Sequence, residues 1–175
     1  MILQRYKIVF GGTIGAGKTS AIKSLSDIPV LSTEALNTDH QTHNKLLTTV
    51  GIDYGEVILE DNTIVGLYGT PGQERFNFMW EIICQGALGV IILIDHSNPD
   101  RLNHLKYYID AFKKYDVHMV IGITHLDQDS NLQLKIYRDY MKIYEHHYPL
   151  YAVDARIKND ILLLTETLIT NIEVN

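Results

Sequence analysis

Residues 12–19 read Gly-Thr-Ile-Gly-Ala-Gly-Lys-Thr and follow directly on the apolar run Tyr6 to Phe10. The stretch after them, SAIKSL, has the character of a helix start. The chain must therefore leave a strand, turn tightly through glycines and enter a helix, which fixes the first unit of the fold. Such a turn lets backbone N–H groups point inward around phosphate oxygens, here from Ile14, Gly15, Ala16, Gly17, Lys18, Thr19 and Ser20. The helix N-terminus adds its partial positive charge. Lys18 is expected to reach the outer phosphates and the Thr19 hydroxyl to ligate magnesium. Average residue usage gives this pattern by chance in about one per cent of chains of this length. A bound nucleoside phosphate is the expectation.

Behind that unit, short apolar runs alternate with longer amphipathic ones. Tyr6 to Phe10, Val57 to Leu59, Ile64 to Tyr68, Val90 to Ile94, Met119 to Ile123 and Leu150 to Val153 read as strands, with a tight turn at Asp61-Asn62. Leu102, Leu105, Ile109 and Phe112 recur at helical spacing, as do Ile161, Leu164, Leu168 and Ile172. Leu132 to His147 reads as a further helix carrying Tyr137, Tyr140 and Tyr144. The polar interval Asp27 to Gly51 has no clear period and is expected to be a functional loop. The expected fold is α/β: one domain over residues 1–175 with a six-stranded, mostly parallel sheet and helices on both faces. In such sheets ligands bind beyond the carboxyl ends of the strands, where the glycine-rich turn lies.

Composition removes several classes of function. A net charge of -6 without a Lys/Arg cluster argues against nucleic acid or an anionic membrane as partner. No apolar run is long enough to cross a bilayer, no signal peptide is evident, and neither Ile2 nor the ending NIEVN offers a lipid-anchor signal. The single cysteine, Cys84, points to a reducing compartment, so the cytosol is expected. His40 and His43 in the long loop are too few for a zinc site.

The glycine-rich turn, Thr49-Val-Gly-Ile, Gly69-Thr-Pro-Gly72-Gln73 and Ile123-Thr124-His125-Leu126-Asp127 occur in order along the chain. Together they resemble the Ras-like small GTPases, which implies a P-loop G domain binding GTP and GDP with Mg²⁺. The resemblance places Asp127 against the N1–H and N2–H₂ donors of guanine, a pair an acceptor-only carboxylate matches and adenine lacks. It places the N–H of Ala155 on guanine O6, with His125 and Arg156 flanking the base. Thr124 stands where that family has an asparagine whose amide bonds guanine and ties this loop to the cradle, leaving the tightness of binding open. Thr49 corresponds to the switch threonine on magnesium and the γ-phosphate, with Thr48 the competitor; its context resembles the Rab branch. Gly72 would donate its N–H to the γ-phosphate and Gln73 would orient the attacking water.

At Gly69 the family has an aspartate on the magnesium side. Gly69 with Pro71 resembles the prokaryotic MglA-like GTPases, and weaker metal affinity is expected. Asp95 reads as a turn cap rather than the missing acid. No arginine occurs between Asp27 and Glu74 to neutralise the transferring phosphoryl, and Ile14 is bulky where an arginine would enter, so slow hydrolysis accelerated by a partner is expected. The resemblance implies an effector and an activating protein as partners, with a roadblock-type regulator suggested by the MglA-like likeness. A guanine-nucleotide-binding module with negligible hydrolysis and an ATP-dependent P-loop enzyme remain the alternatives.

Overall fold

The computed structural model describes residues 5–32, 51–59, 62–126 and 130–174. The chain opens with β1 (Arg5–Gly11) and α1 (Lys18–Leu25), then β2 (Leu31–Ser32), β3 (Asp53–Ile58) and β4 (Ile64–Gly69). There follow α2 (Phe78–Cys84), β5 (Gly89–Asp95), α3 (Arg101–Lys113), β6 (His118–Thr124), α4 (Ser130–Met141), β7 (Leu150–Ala152) and α5 (Lys158–Val174). The described strands form one sheet in the order β2-β3-β4-β1-β5-β6-β7. β3 runs antiparallel to β2 and β4; the pairs from β4 through β1, β5, β6 and β7 are parallel.

The period-two alternation of β5 divides its side chains between two cores. Ile91 and Leu93 face Ala21, Ile22 and Leu25 of α1 and Leu164 and Leu168 of α5. Val90, Ile92 and Ile94 face Trp80 of α2, Tyr108, Ile109 and Phe112 of α3, and Tyr137 of α4. Trp80 stacks against two rings of α3, with centroids 4.8 Å from Phe112 and 5.3 Å from Tyr108. Cys84 is buried at the end of α2, and desolvation pushes its thiol up to about 11.

The sheet has seven strands rather than the six expected, because Leu31–Ser32 adds an edge strand to β3. β3 itself begins at Asp53, four residues before the expected Val57. Its inward positions are Asp53, Gly55 and Val57, so its first half carries no apolar alternation to read. α4 ends at Met141 instead of His147. Beyond it Tyr144 keeps its place by packing on Tyr148 and donating its hydroxyl to Asp110 of α3 at 3.1 Å, so the aromatic spacing outlasts the helix. No described helix is long and apolar enough to cross a membrane.

The chain leaves β1, builds β3 and β4 on one side of it, then crosses to β5 on the other side. The crevice at the carboxyl end of β1, between β4 and β5, is therefore the switch point at which such folds bind ligands.

Candidate nucleotide site

Residues 12–17 turn through positive φ at Gly12, Gly15 and Gly17, and α1 starts at Lys18. Gly17, at φ 101°, cannot carry a side chain: a Cβ there would lie 2.8 Å from the Cβ of Ala155. The loop between β7 and α5 thus rests directly on the cradle. Lys18 is buried, and its ammonium donates to the carbonyls of Gly12 and Thr13, both at 2.7 Å. This holds the amine across the mouth of the loop, where phosphate oxygens would replace the carbonyls as acceptors. Ala16 is buried and Ile14 is 67% exposed on the outer rim.

On the base side, the buried Thr124 at the end of β6 donates its hydroxyl to the carbonyl of Ala16 at 2.9 Å, with Ile94 O at 3.3 Å. The tie between this loop and the cradle, left open by the missing amide, is made by a hydroxyl instead. His125 follows at φ 57°, its Nδ1 3.0 Å from Thr124 Oγ1 and 3.3 Å from an Asp95 oxygen. Asp95 also accepts from the N–H and hydroxyl of Ser97, capping its own turn. Between the two loops lies a cavity of about 480 Å³ lined by Gly15, Gly17, Ser20, Thr124, His125, Ala155 and Arg156, among others. Its wall is stiffened by Asp160, which accepts from the Asp154 N–H at 2.8 Å. Arg156 forms a two-pronged pair with Asp154 at 2.6 and 2.9 Å, and that guanidinium holds the Asp154 carboxyl down at about 2.

On the opposite side, β4 delivers Gly69 and the backbone then passes close to the cradle. A Cβ on Gly72 would come within 2.6 Å of the Ile14 nitrogen, so only glycine fits there. Gln73 comes next, exposed, ahead of the short turn Glu74–Phe76. Thr70 donates its hydroxyl to Phe10 O at 3.1 Å, fastening this segment to β1.

Thr19 makes the contact that sequence reasoning missed. Its hydroxyl donates to the carboxylate of Asp53, a residue 9% exposed at the start of β3 and paired in register with Gly69. Residues 14–20, 72, 124, 125, 155 and 156 are gathered around one crevice, with Gln73 following Gly72 in the chain. Thr48, Thr49 and Asp127 lie outside the described residues.

The chain matches known proteins along most of its length. Residues 10–168 match the model of a family described as conserved hypothetical ATP binding protein. The human Ras-related protein Rab-44 is 27% identical over 113 residues, covering 62% of this chain and 10% of that protein. Ras-related protein Rab-11B of Dictyostelium discoideum is 27% identical over 136 residues, 76% of this chain and 55% of its own length. The chain therefore spans from a tenth to about half of these relatives. A bacterial selenocysteine-specific elongation factor, EF-Sec, shares the fold at a TM-score of 0.63 and 21% identity, over 94% of this chain and 29% of that one. With its glycine-rich loop, its sheet and the match through residues 10–168, the chain is a P-loop protein of the GTPase fold and belongs to the family of conserved hypothetical ATP binding proteins.

Proposed function

We propose that this protein is a guanine-nucleotide switch: it binds GTP or GDP with Mg²⁺, hydrolyses GTP slowly, and signals to a protein partner through the segments 27–50 and 70–86. The observation that carries the reading is the junction of Gly17, Thr124 and Ala155, where the phosphate loop and both base-side loops meet around one cavity. Asp127, three residues past that junction's Thr124, is the group expected to choose guanine by accepting from two ring-edge donors. The Rab relatives support the same reading.

Magnesium fits the residues present: the Thr19 hydroxyl, an ordinary ligand for it, sits beside a buried carboxylate. When bound, the ion neutralises charge on the outer phosphates. Lys18 shares that role from the loop, the Gly72 N–H is available to the γ-phosphate, and Gln73 next to it orients a water. α2 offers Phe78 and Ile82, 64% and 67% exposed, as apolar contacts for a cytosolic effector or activator.

Displacement of fluorescent GDP tests the base. GTP is expected to compete far better than ATP; stronger displacement by ATP would favour the second reading, an ATP-binding protein, which the family's description supports. Single-turnover phosphate release tests turnover. Wild type with a partner is expected to outpace Gln73→Ala; equal rates would leave a nucleotide-binding module without meaningful hydrolysis.

A further inference from the structure

We propose that Asp53, on β3, is the acid of the magnesium site, standing across the sheet from the position where Gly69 lacks one. This deepens the nucleotide reading above and rests on it.

Asp53 and Gly69 are partners in the antiparallel ladder of β3 and β4. Directly opposed residues project from the same face with Cβ atoms about 5 Å apart, so a short carboxylate from either strand reaches nearly the same point. The space is tight for both at once: beside Asp53, a side chain at 69 would need its neighbours to give by a few tenths of an ångström. A Cβ on Gly69 would lie 3.1 Å from Asp53 Cβ and 3.3 Å from its Oδ2, with Ile22 Cδ1 also at 3.1 Å. Glycine at 69 is thus the counterpart of aspartate at 53, and the acid has moved one strand outward.

The carboxylate's setting points to a cation. Asp53 is 9% exposed, and among the described residues its hydrogen-bond donor is the Thr19 hydroxyl, a neutral group. Buried charges in proteins are paired or sit beside metal ions. By accepting the Thr19 hydroxyl hydrogen bond, Asp53 leaves that oxygen's lone pairs to a cation and adds a negative charge at its side. An acid that orients and polarises a metal ligand in this way typically contributes about 10- to 100-fold in metal affinity.

The test measures fluorescent GDP dissociation from the full chain against free Mg²⁺, for wild type, Asp53→Asn, Asp53→Gly and the exchange Asp53→Gly/Gly69→Asp. Wild type is expected to release GDP more slowly as Mg²⁺ rises. Asp53→Asn should need about 10- to 100-fold more Mg²⁺ for the same fractional slowing, each protein being read against its own release rate in excess chelator. The exchange, which removes the Asp53 Cβ that a residue at 69 would meet, should recover most of the loss seen in Asp53→Gly. An unchanged Mg²⁺ requirement in Asp53→Asn overturns the assignment and leaves nucleotide binding intact. So does an exchange variant no better than Asp53→Gly, since Asp53 would then serve the fold and not the ion. A wild type that does not hold the nucleotide overturns the assignment together with the reading beneath it.

Discussion

On the base side of the cradle, Thr124 ties β6 to the phosphate loop from the same position where the Ras-like proteins carry an amide. On the opposite wall, by contrast, the usual position is Gly69, and the carboxylate proposed for the magnesium site is that of Asp53 on the neighbouring strand. The first replacement changes the group and keeps the place; the second keeps the group and changes the place. Both are cheap for the same reason. What the site requires is an atom at a point, and a buried hydroxyl at a strand end or a carboxylate on the facing strand can deliver one without moving the backbone.

The two flanks share the cradle, so Lys18 is the place to break both. Lys18→Ala removes two charge-assisted contacts of the loop and, with nucleotide bound, those to phosphate. Affinity for GDP is expected to fall about 100-fold or more in equilibrium titration, whatever the Mg²⁺ concentration. A loss below about tenfold would mean that one flank holds the nucleotide without the cradle.

Thr124→Val sharpens the contrast. The variant keeps the shape of the side chain and leaves the buried carbonyls of Ala16 and Ile94 without its hydroxyl. The cost is expected to be about 1–3 kcal/mol, read as a lower thermal midpoint and weaker GDP binding. Thr124→Ser, which keeps the donor, should stay close to wild type. Neither should alter the Mg²⁺ requirement, because Thr124 and Asp53 bind different walls of the crevice. A shifted Mg²⁺ requirement in Thr124→Val would show that the flanks are coupled.

That contrast also marks what the sequence made legible. Contiguous features came through: the phosphate loop is one unbroken segment, and β5, α3 and α5 announce themselves by apolar period. Thr124 is legible because it occupies a motif position, though its bond to Ala16 depends on a contact 108 residues back along the chain. Asp53 is not legible in the sequence because its place opposite Gly69 depends on register. Leu59 donates to Thr63 O and Ile58 pairs with Ile64, with Asn62 at φ 64°. A two-residue turn on Asp61-Asn62, as read from the sequence, would have paired Asp53 with Thr70 instead of Gly69. One residue of turn length decides whether the acid is visible. The ends of β3 and α4 failed for related reasons: inward Asp53 and Gly55 hide a strand, and Tyr144 continues a helical stripe after the helix has stopped.

The smallest expected effect concerns the rim of the base side, where Arg156 holds Asp154. That guanidinium lowers the Asp154 carboxyl from 3.8 to about 2. A carboxyl depressed in the folded state stabilises the fold above its ordinary range, and the contribution is lost as pH falls from about 4 toward 2. Chemical unfolding of wild type should therefore lose a little stability over that window which Asp154→Asn, having no proton to take up there, does not lose. Because Arg156 is 81% exposed, the difference should be slight and should shrink further at high salt. If it persists at high salt, or if Asp154→Asn weakens GDP binding at neutral pH as strongly as Thr124→Val, then the Asp154–Arg156 pair does more than brace the loop. The base side would then have two holding points, Thr124 and this pair, where the magnesium side has one.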